Sequence, residues 1–291
     1  MRLLFFIFII SLSLSNSQNT FINKKNETHL CGPVDIESMK QDTSYADWFD
    51  KDYTNLNSLD SNIIWKNNLK DIKVEIFFGT WCGDSKKNVP EFIKLWDHLG
   101  FSRDQLSLIA VYDNTDKSKN KTSPNNEELG KYIHKVPTFI FYKNNQEIAR
   151  IVEHPVNSLE IDLSQIALGV PSIPNYKASN YILKILAENE ISYIDKNKES
   201  IVSYLKPLCK NDNELNAIGY FFVNKNELEN ALKVFELNIS LFEKTPNVYD
   251  SYAETLALKG RKEEAITNYK KVLELDPENK NAKEQLEKLL E

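Results

Sequence analysis

The C-terminal third of the chain repeats itself with a period of 34 residues. Gly219 and Phe235 are followed at this offset by Ala253 and Tyr269, so a small residue and an aromatic residue recur at the same places. A unit of this length accommodates two antiparallel helices, in which small residues allow close approach and large residues fill the gap. The period therefore predicts stacked helix pairs. The other pairs that share it are Phe222 with Leu256, Ala231 with Ala265, Leu215 with Tyr249, and Ile218 with Tyr252.

This alternation of small and large residues resembles the tetratricopeptide repeat, a helix–turn–helix unit. We assign 213–291 to tetratricopeptide repeats, with a polar capping helix from Lys280 to Leu290. Residues 173–212 are amphipathic but lack the signature, and we assign them as a helical connector. The resemblance implies a protein partner on the helical repeats. The alternative is that two repeats only pack against the neighbouring domain.

The part of the chain before residue 173 alternates strand and helix patterns and ends in a hairpin and a helix, which predicts an α/β sandwich. We place this domain at 41–172. The polar stretch 18–40 is expected to be a flexible N-terminal segment. Strands are expected at 74–78, 106–112, 138–142 and 147–151, and helical segments at 42–59, 89–99, 127–133 and 156–168.

Residues 1–17 differ from the rest of the chain. Arg2 precedes an apolar run over 3–10, and small polar residues follow as far as Ser17. A basic start, a short apolar core and small residues near a cleavage point are typical of a secretory signal peptide. An uncleaved anchor is the alternative, although the run is short for a permanent membrane helix. We expect an extracytoplasmic protein, periplasmic or secreted, with no membrane span after signal removal.

Charge and histidine spacing exclude two classes of partner. The formal net charge is −6, from 36 basic and 42 acidic residues, so no basic excess exists to neutralise a nucleic-acid backbone. The histidines are scattered without the spacing of metal ligands, and we expect no metal site and no cofactor. His134 is expected to be a solvated loop residue. The others are His29, His98 and His154.

The most informative string runs from Phe77 to Ser85, where a buried strand passes into a helix. Cys82 falls at the start of that helix, where free N–H groups and the helix dipole favour a thiolate. A thiolate is the nucleophile of disulfide exchange. Trp81 would shield one side of the sulfur and contact an incoming chain. A buried core cysteine in a strand-to-helix turn is the structural alternative.

Trp-Cys-Gly at 81–83 after a central strand, and Val-Pro-Thr at 136–138 before a hairpin, resemble the thioredoxin family over about residues 60–170. The resemblance implies a thioredoxin-like sandwich, followed here by the all-α helical repeats. It also implies that Pro137 is a cis-proline beside Cys82, which leaves the Val136 backbone open to an extended peptide. The implied site residues are Cys82 and Ser85 as catalytic groups, with Trp81, Gly83, Val136 and Pro137 as substrate-binding groups.

Two residues depart from the thioredoxin pattern. Ser85 stands where thioredoxins carry a second cysteine, so no cysteine next to Cys82 can resolve a mixed disulfide on it. Ser85 can instead donate a hydrogen bond to the thiolate. Ile76 stands at the position of a buried acid, and strand alternation turns Glu75 to the other face. Cys31, in the flexible segment, is the candidate resolving thiol. The alternatives are that Cys31 and Cys209 are bystanders or form a structural disulfide.

These features favour an exported thiol-disulfide oxidoreductase that reduces or isomerises mixed disulfides through one cysteine. Its partners would be exported client proteins with cysteines or extended peptides, and an external thiol reductant. The alternative is a redox-inactive thioredoxin-fold module that binds peptides or proteins. A cluster-binding protein like the monothiol glutaredoxins is a third idea, against which Trp81 and the expected export both argue.

Overall fold

A computed structural model describes residues 18–50 and 63–291. The signal peptide expected at 1–17 and most of the second half of the helical segment expected at 42–59 lie outside the described residues. The described chain divides into an N-terminal α/β part with a mixed sheet and a C-terminal part that is helical from residue 177 onward.

The central sheet has five strands: β3 (Gly32–Val34), β4 (Lys73–Phe78), β5 (Leu106–Ala110), β6 (Thr138–Lys143) and β7 (Gln146–Val152). Their spatial order is β3-β5-β4-β6-β7. Only the β4–β5 pair is parallel, and α3 (Gly83–His98) connects those two strands. The other neighbours are antiparallel, with β6 and β7 joined by a tight hairpin. Asn144 and Asn145 both have positive φ in that turn, as a two-residue hairpin requires.

Strand β4 is apolar on both of its faces. Val74, Ile76 and Phe78 point into the larger core, where α3 contributes Phe92 and Trp96. The alternate residue of the strand, Phe77, packs on the opposite face, in a smaller cluster with Ile109, Val136 and Ile140. This two-sided burial explains the continuous apolar run in the sequence. Burial on both faces also fixes the position of the turn that follows β4 and precedes α3.

Helix α4 (Leu159–Ala167) packs on the larger core together with a 3₁₀ helix at Ile64–Leu69. It begins later than the expected residue 156 because Ser158 caps it, accepting a hydrogen bond from the Ile161 N–H at 3.2 Å. The remaining short elements of this part are α1 (Ile36–Gln41), α2 (Ala46–Asp50) and 3₁₀ helices at Arg103–Gln105 and Lys117–Lys119.

The expectation of a flexible segment at 18–40 is wrong. This segment contains a hairpin of β1 (Thr20–Ile22) with β2 (Thr28–Leu30), and β3 then joins the central sheet beside β5. Polar composition hid this because each strand has three residues and only a few side chains face the core. The buried anchors are His29, Leu30 and Cys31.

The short helix expected over 127–133 is also wrong, since this stretch consists of turns. Asn126, Gly130 and Tyr132 all have positive φ, which interrupts any helical run. A helix of seven residues has too few internal hydrogen bonds to overcome those breaks.

The helical part begins with α5 (Lys177–Glu188), α6 (Ser192–Lys196) and α7 (Lys198–Leu205). Two antiparallel pairs follow, α8 (Asn213–Asn224) with α9 (Leu228–Leu241), and α10 (Pro246–Leu258) with α11 (Lys262–Leu275). Helix α12 (Lys280–Leu290) packs on α11 at the end.

The predicted role of the small residues is confirmed at Gly219. A Cβ there would lie 2.2 Å from the Phe235 ring, so a side chain at this position would require the ring to move. In the described part of the chain, no helix is both long and apolar enough to cross a membrane.

Candidate functional site

Cys82 is the N-cap residue of α3, with extended backbone angles of φ −94° and ψ 125°. Its N–H donates to the Gly79 carbonyl at 2.9 Å and its own carbonyl accepts from Lys86 N–H at 3.0 Å, so the residue ends a turn and starts the helix. The side chain is partly exposed. The residue therefore lies at the end of the helix where the first N–H groups have no internal partner.

The Cys82 thiol donates a hydrogen bond to the Val136 carbonyl, with Sγ and O 3.3 Å apart. The Val136–Pro137 peptide bond is cis, which confirms the expected cis-proline. Val136 itself is buried, and β6 starts two residues later at Thr138. The fold thus brings together two motifs that lie 54 positions apart in the sequence.

Trp81 lies flat against the turn that precedes Cys82. Its Nε1–H donates to the Val111 carbonyl at 3.0 Å, which ties the indole to the end of β5. A Cβ at Gly79 would lie 2.5 Å from the indole ring, so glycine is needed there. By contrast, a Cβ at Gly83 would meet no atom within 4 Å, which leaves open space beside the first residue of α3.

Ser85 is fully buried in the first turn of α3. Its Oγ accepts the Gly79 N–H at 3.2 Å and so braces the turn that carries Trp81 and Cys82. The hydrogen bond that we expect Ser85 to donate to a thiolate stays a prediction.

Cys31 does not have the mobility on which its proposed resolving role rests. It lies between β2 and β3, it is only 3% exposed, and its N–H donates to the Asn19 carbonyl at 2.9 Å. Burial raises the pKa of its thiol, and a hydrogen bond with Tyr112 acts in the opposite direction. All three cysteines are free thiols, so the disulfide considered for Cys31 and Cys209 is not formed. Burial raises the pKa of Cys209 to about 11.

His134 is buried, contrary to the expectation of a solvated loop residue. Burial lowers its pKa to about 3, so the ring is neutral at physiological pH. Its Nδ1 lies 3.3 Å from the Tyr132 carbonyl, which can only accept, so Nδ1 carries the proton. The Nε2 atom is then an acceptor, and it is buried without a hydrogen-bond partner among the described residues.

Lys121 is a site residue that the sequence did not reveal. Its N–H donates to the Tyr112 carbonyl at 3.0 Å, which holds the loop after β5 beside the site, and its Nζ contacts Asn120 Oδ1 at 3.3 Å. Burial lowers its pKa, as does the nearby Lys135, whereas negative charge on Cys82 and Glu153 acts in the opposite direction. Isolated loop lysines carry no sequence signal, so only the fold identifies this one.

A cavity of about 340 Å³ lies between the Cys82 turn and helix α8. On the sheet side it is lined by Cys82, Val136 and Lys121, and on the helical side by Tyr220 and Phe221. The sequence has three consecutive aromatic residues at 220–222, and the structure places Phe221 and Phe222 in the helical core with Tyr220 packed against it. Tyr220 and Phe221 also reach the cavity. The other residues of the lining are Trp81, Asn120, His134, Lys135, Glu153, Ala217 and Asn224.

Tyr176 joins the two parts of the molecule directly before α5. Its hydroxyl donates to the Glu153 carboxylate, and the Lys135 ammonium lies 4.6 Å from its ring centroid. The His134 ring meets it edge-on, with centroids 5.8 Å apart. Lys135 also pairs with Glu153 at 3.7 Å, so the cation and carboxylate at this end of the cavity neutralise each other.

Within the described residues, no group of three or more His, Cys, Asp and Glu side chains comes together to hold a metal ion. A family model described as a tetratricopeptide repeat matches residues 246–279, which comprise α10, α11 and the turn after them. The C-terminal part of the chain therefore contains a tetratricopeptide repeat. No curated protein sequence matches the chain.

Proposed function

We propose that the chain is a thioredoxin-fold thiol-disulfide oxidoreductase that acts through the single nucleophile Cys82. The observation that carries this proposal is the position of its sulfur, at the N-terminus of α3 and 3.3 Å from the carbonyl that precedes Pro137. A helix N-terminus stabilises a thiolate, and partial exposure gives an incoming sulfur access to it.

The topology supports the same proposal. A parallel β4–α3–β5 unit, followed by the β6–β7 hairpin and α4, is the arrangement that the thioredoxin resemblance implies. The two motifs of the resemblance meet at one edge of the sheet. We propose export together with this fold, on the apolar sequence of residues 1–17, which lie outside the described residues.

The proposed reaction is a pair of exchanges. The Cys82 thiolate attacks a disulfide R–S–S–R′, forms the mixed disulfide Cys82–S–S–R and releases R′–S⁻. An external thiolate then attacks Cys82–S–S–R, forms a new disulfide with R and restores the Cys82 thiolate. In the net reaction the R′ sulfur is reduced to a thiolate and the external thiol is oxidised into a disulfide with R, so electrons balance without a cofactor. A second external thiolate that attacks this disulfide would release R as a thiolate too.

The second exchange needs an external thiol because the chain offers no neighbour for it. Ser85 occupies the place of a resolving cysteine and has no sulfur. Cys31 and Cys209 are buried, and burial raises the pKa of both thiols, which lowers the fraction present as thiolate. One-cysteine chemistry of this kind suits the reduction or isomerisation of mixed disulfides.

The test measures both the reactivity and the turnover of Cys82. In the double variant Cys31→Ser/Cys209→Ser, Cys82 is the only thiol, and its iodoacetamide rate is measured against pH and against free cysteine. The same protein should accelerate reduction of a mixed disulfide by added thiol, and Cys82→Ser should show no acceleration. A Cys82 that reacts no faster than free cysteine at neutral pH would contradict the proposal.

Binding without exchange is the competing function, and the tetratricopeptide repeat at 246–279 favours it. Tetratricopeptide repeats commonly bind proteins. Because α8 lies over the Val136 backbone, such a partner would contact the helical part and not this groove. A partner that is retained equally by the wild type and by Cys82→Ser would favour this function, and loss of capture in Cys82→Ser would favour exchange.

A further inference from the structure

The cavity beside Cys82 is closed on one side by the helical part of the same chain. Tyr220 and Phe221 of α8 face the Cys82 turn, and α8 also contacts the 3₁₀ helix at Lys117–Lys119. The space of about 340 Å³ suits a small molecule. An extended protein chain that ran past Cys82 would have to displace α8. While the sheet and the helical part remain packed together, the cavity therefore limits the size of a molecule that can bind next to Cys82.

Two lysines, Lys121 and Lys135, line the cavity, and they differ in their partners. Lys135 is paired with Glu153, but no described carboxylate lies within salt-bridge distance of Lys121, whose ammonium contacts only the side-chain amide oxygen of Asn120. Lys121 is partly buried, and burial lowers the pKa of its ammonium. A desolvated cation without a carboxylate partner gains most when a ligand supplies the anion.

His134 supplies the opposite kind of group. Its ring is neutral and its Nδ1–H is used by the Tyr132 carbonyl, which leaves Nε2 as a buried acceptor without a hydrogen-bond partner among the described residues. His134 is also one of the residues that line the cavity. A buried acceptor without a partner is costly, and a ligand N–H group would satisfy it. The described cavity lining thus contains a lysine without a carboxylate partner and a histidine whose acceptor has no donor.

We infer, on the premise of the proposed exchange at Cys82, that this cavity binds a low-molecular-weight thiol that carries a carboxylate and an N–H group. The carboxylate pairs with Lys121, the N–H donates to His134 Nε2, and the sulfur forms the mixed disulfide with Cys82. The helical part then acts as the wall that selects for size. In the first exchange the small thiol stays on Cys82, and the other half of the disulfide leaves as a thiolate.

The test uses 2-pyridyl mixed disulfides of three small thiols. These are N-acetylcysteine, with a carboxylate and an N–H group; 3-mercaptopropionate, with a carboxylate only; and cysteamine, with an ammonium. Attack by Cys82 releases pyridine-2-thione, whose absorbance gives the rate of the first exchange without any external thiol. Rates are compared as ratios between wild type and variant for the same probe, which removes the intrinsic reactivity of each disulfide.

We expect Lys121→Gln to slow both carboxylate probes about tenfold more than the cysteamine probe, because their carboxylates lose a charged partner in a partly buried site. Any slowing of the cysteamine probe measures the loss of the Lys121 charge near Cys82, which all three probes share. Lys121→Arg should retain the preference, and the matched control Lys119→Gln, whose side chain is more exposed, should match the wild type. His134→Phe should slow the N-acetylcysteine probe about fivefold more than the 3-mercaptopropionate probe, as loss of one hydrogen bond predicts. Equal effects of Lys121→Gln on all three probes would overturn the inference.

A second measurement separates this inference from the proposed function. The variant Cys82→Ala is titrated calorimetrically with S-methyl-N-acetylcysteine, which cannot exchange. Binding that Lys121→Gln weakens supports the site even if Cys82 proves unreactive, in which case only the proposed function fails. Exchange that proceeds without charge preference, together with no thioether binding, refutes the site and leaves the proposed function intact.

Discussion

The sheet is stabilised by contacts between residues far apart in sequence, whereas the helical repeats are stabilised by contacts between neighbouring helices. In the repeats, each helix packs on its neighbour in sequence, and the Gly219–Phe235 contact recurs as Ala253 and Tyr269 one period later. In the sheet, Gly32 pairs with Ala110, and Cys82 reaches Val136. The repeats are therefore a property of local sequence, whereas the candidate site exists only once distant segments have met.

The largest expected effect tests whether the two regions are separate folding units. Phe92 is fully buried in α3, with ring centroids 5.6 Å from Trp96 and 4.7 Å from Phe139. Phe92→Ala should cost about 3–5 kcal/mol of stability because it leaves a cavity among these rings. Hydrogen exchange should show lost protection in β4–β7 and retained protection in α10–α12.

The matched variant is Phe235→Ala in the repeat core, which should lose protection in α8 and α9 first. If both variants lose protection across the whole chain together, the sheet and the repeats form one cooperative unit, and the contrast in contact range does not govern unfolding.

The next effect compares the two repeats with each other. Gly219→Ala places a Cβ against the Phe235 ring, at a distance of 2.2 Å without relaxation, and should cost about 1–3 kcal/mol by overpacking. The reverse change one period later, Ala253→Gly, should cost about 1 kcal/mol through backbone entropy alone. Urea unfolding measures both. Rescue of Gly219→Ala by Phe235→Leu would confirm the steric cause, and an unchanged stability of Gly219→Ala would contradict it.

A smaller effect concerns His134, which lies where the two regions meet. Its pKa is about 3 in the folded chain against an ordinary value of 6.5, so the unfolded state binds the proton first as pH falls. The stability from the neutral ring is present above pH 6.5 and is lost as pH decreases from there toward 3. We expect the loss between pH 7 and pH 5.5 to be about 1 kcal/mol.

Urea unfolding at the two pH values measures this loss, and His134→Gln should reduce it. The matched control is His154→Gln, which removes an exposed imidazole and leaves His134 in place. A pH dependence that is the same in wild type and His134→Gln would mean that His134 is not buried in solution.

The smallest effect tests what holds α8 over the site. Lys117 and Glu254 form an ion pair across the two regions at 4.0 Å, but the lysine side chain is 78% exposed. Because exposed pairs contribute little, Lys117→Gln should change stability by less than about 0.5 kcal/mol. It should also leave the alkylation rate of Cys82 unchanged. Faster alkylation in this variant would show that the ion pair, and not the aromatic wall, keeps α8 in place.

Much of the architecture could be predicted because it depends on local patterns. The 34-residue period predicted the paired helices, and the apolar run over 74–78 predicted β4. These two signals lie within a single element or a single repeat, where residue spacing is informative by itself. The cis peptide bond before Pro137 was expected from the family resemblance of the motifs at 81–83 and 136–138, and not from spacing.

The rest depends on contacts between segments that are far apart in sequence. Cys31 was interpreted as mobile because its segment is polar, yet pairing of β3 with β5 buries it. His134 and Lys121 lie in turns whose path is set by positive φ at Lys121 and Tyr132, which leaves no periodic trace. The aromatic residues at 220–222 all pack in or against the helical core, so their spacing does not reveal that Tyr220 and Phe221 also line the cavity.

Tyr176 carries a consequence for any attempt to exchange one region for another. Its backbone has φ +63°, a conformation that residues other than glycine adopt infrequently. Helix α5 starts at the next residue. This conformation sets the direction in which the chain enters α5. A chimaera that grafts foreign helices onto this sheet should be spliced after Tyr176 and keep Lys135 and Glu153 as its clamp. A graft made upstream of Tyr176 would lose this junction, and the grafted helices would not be held in the native orientation to the sheet.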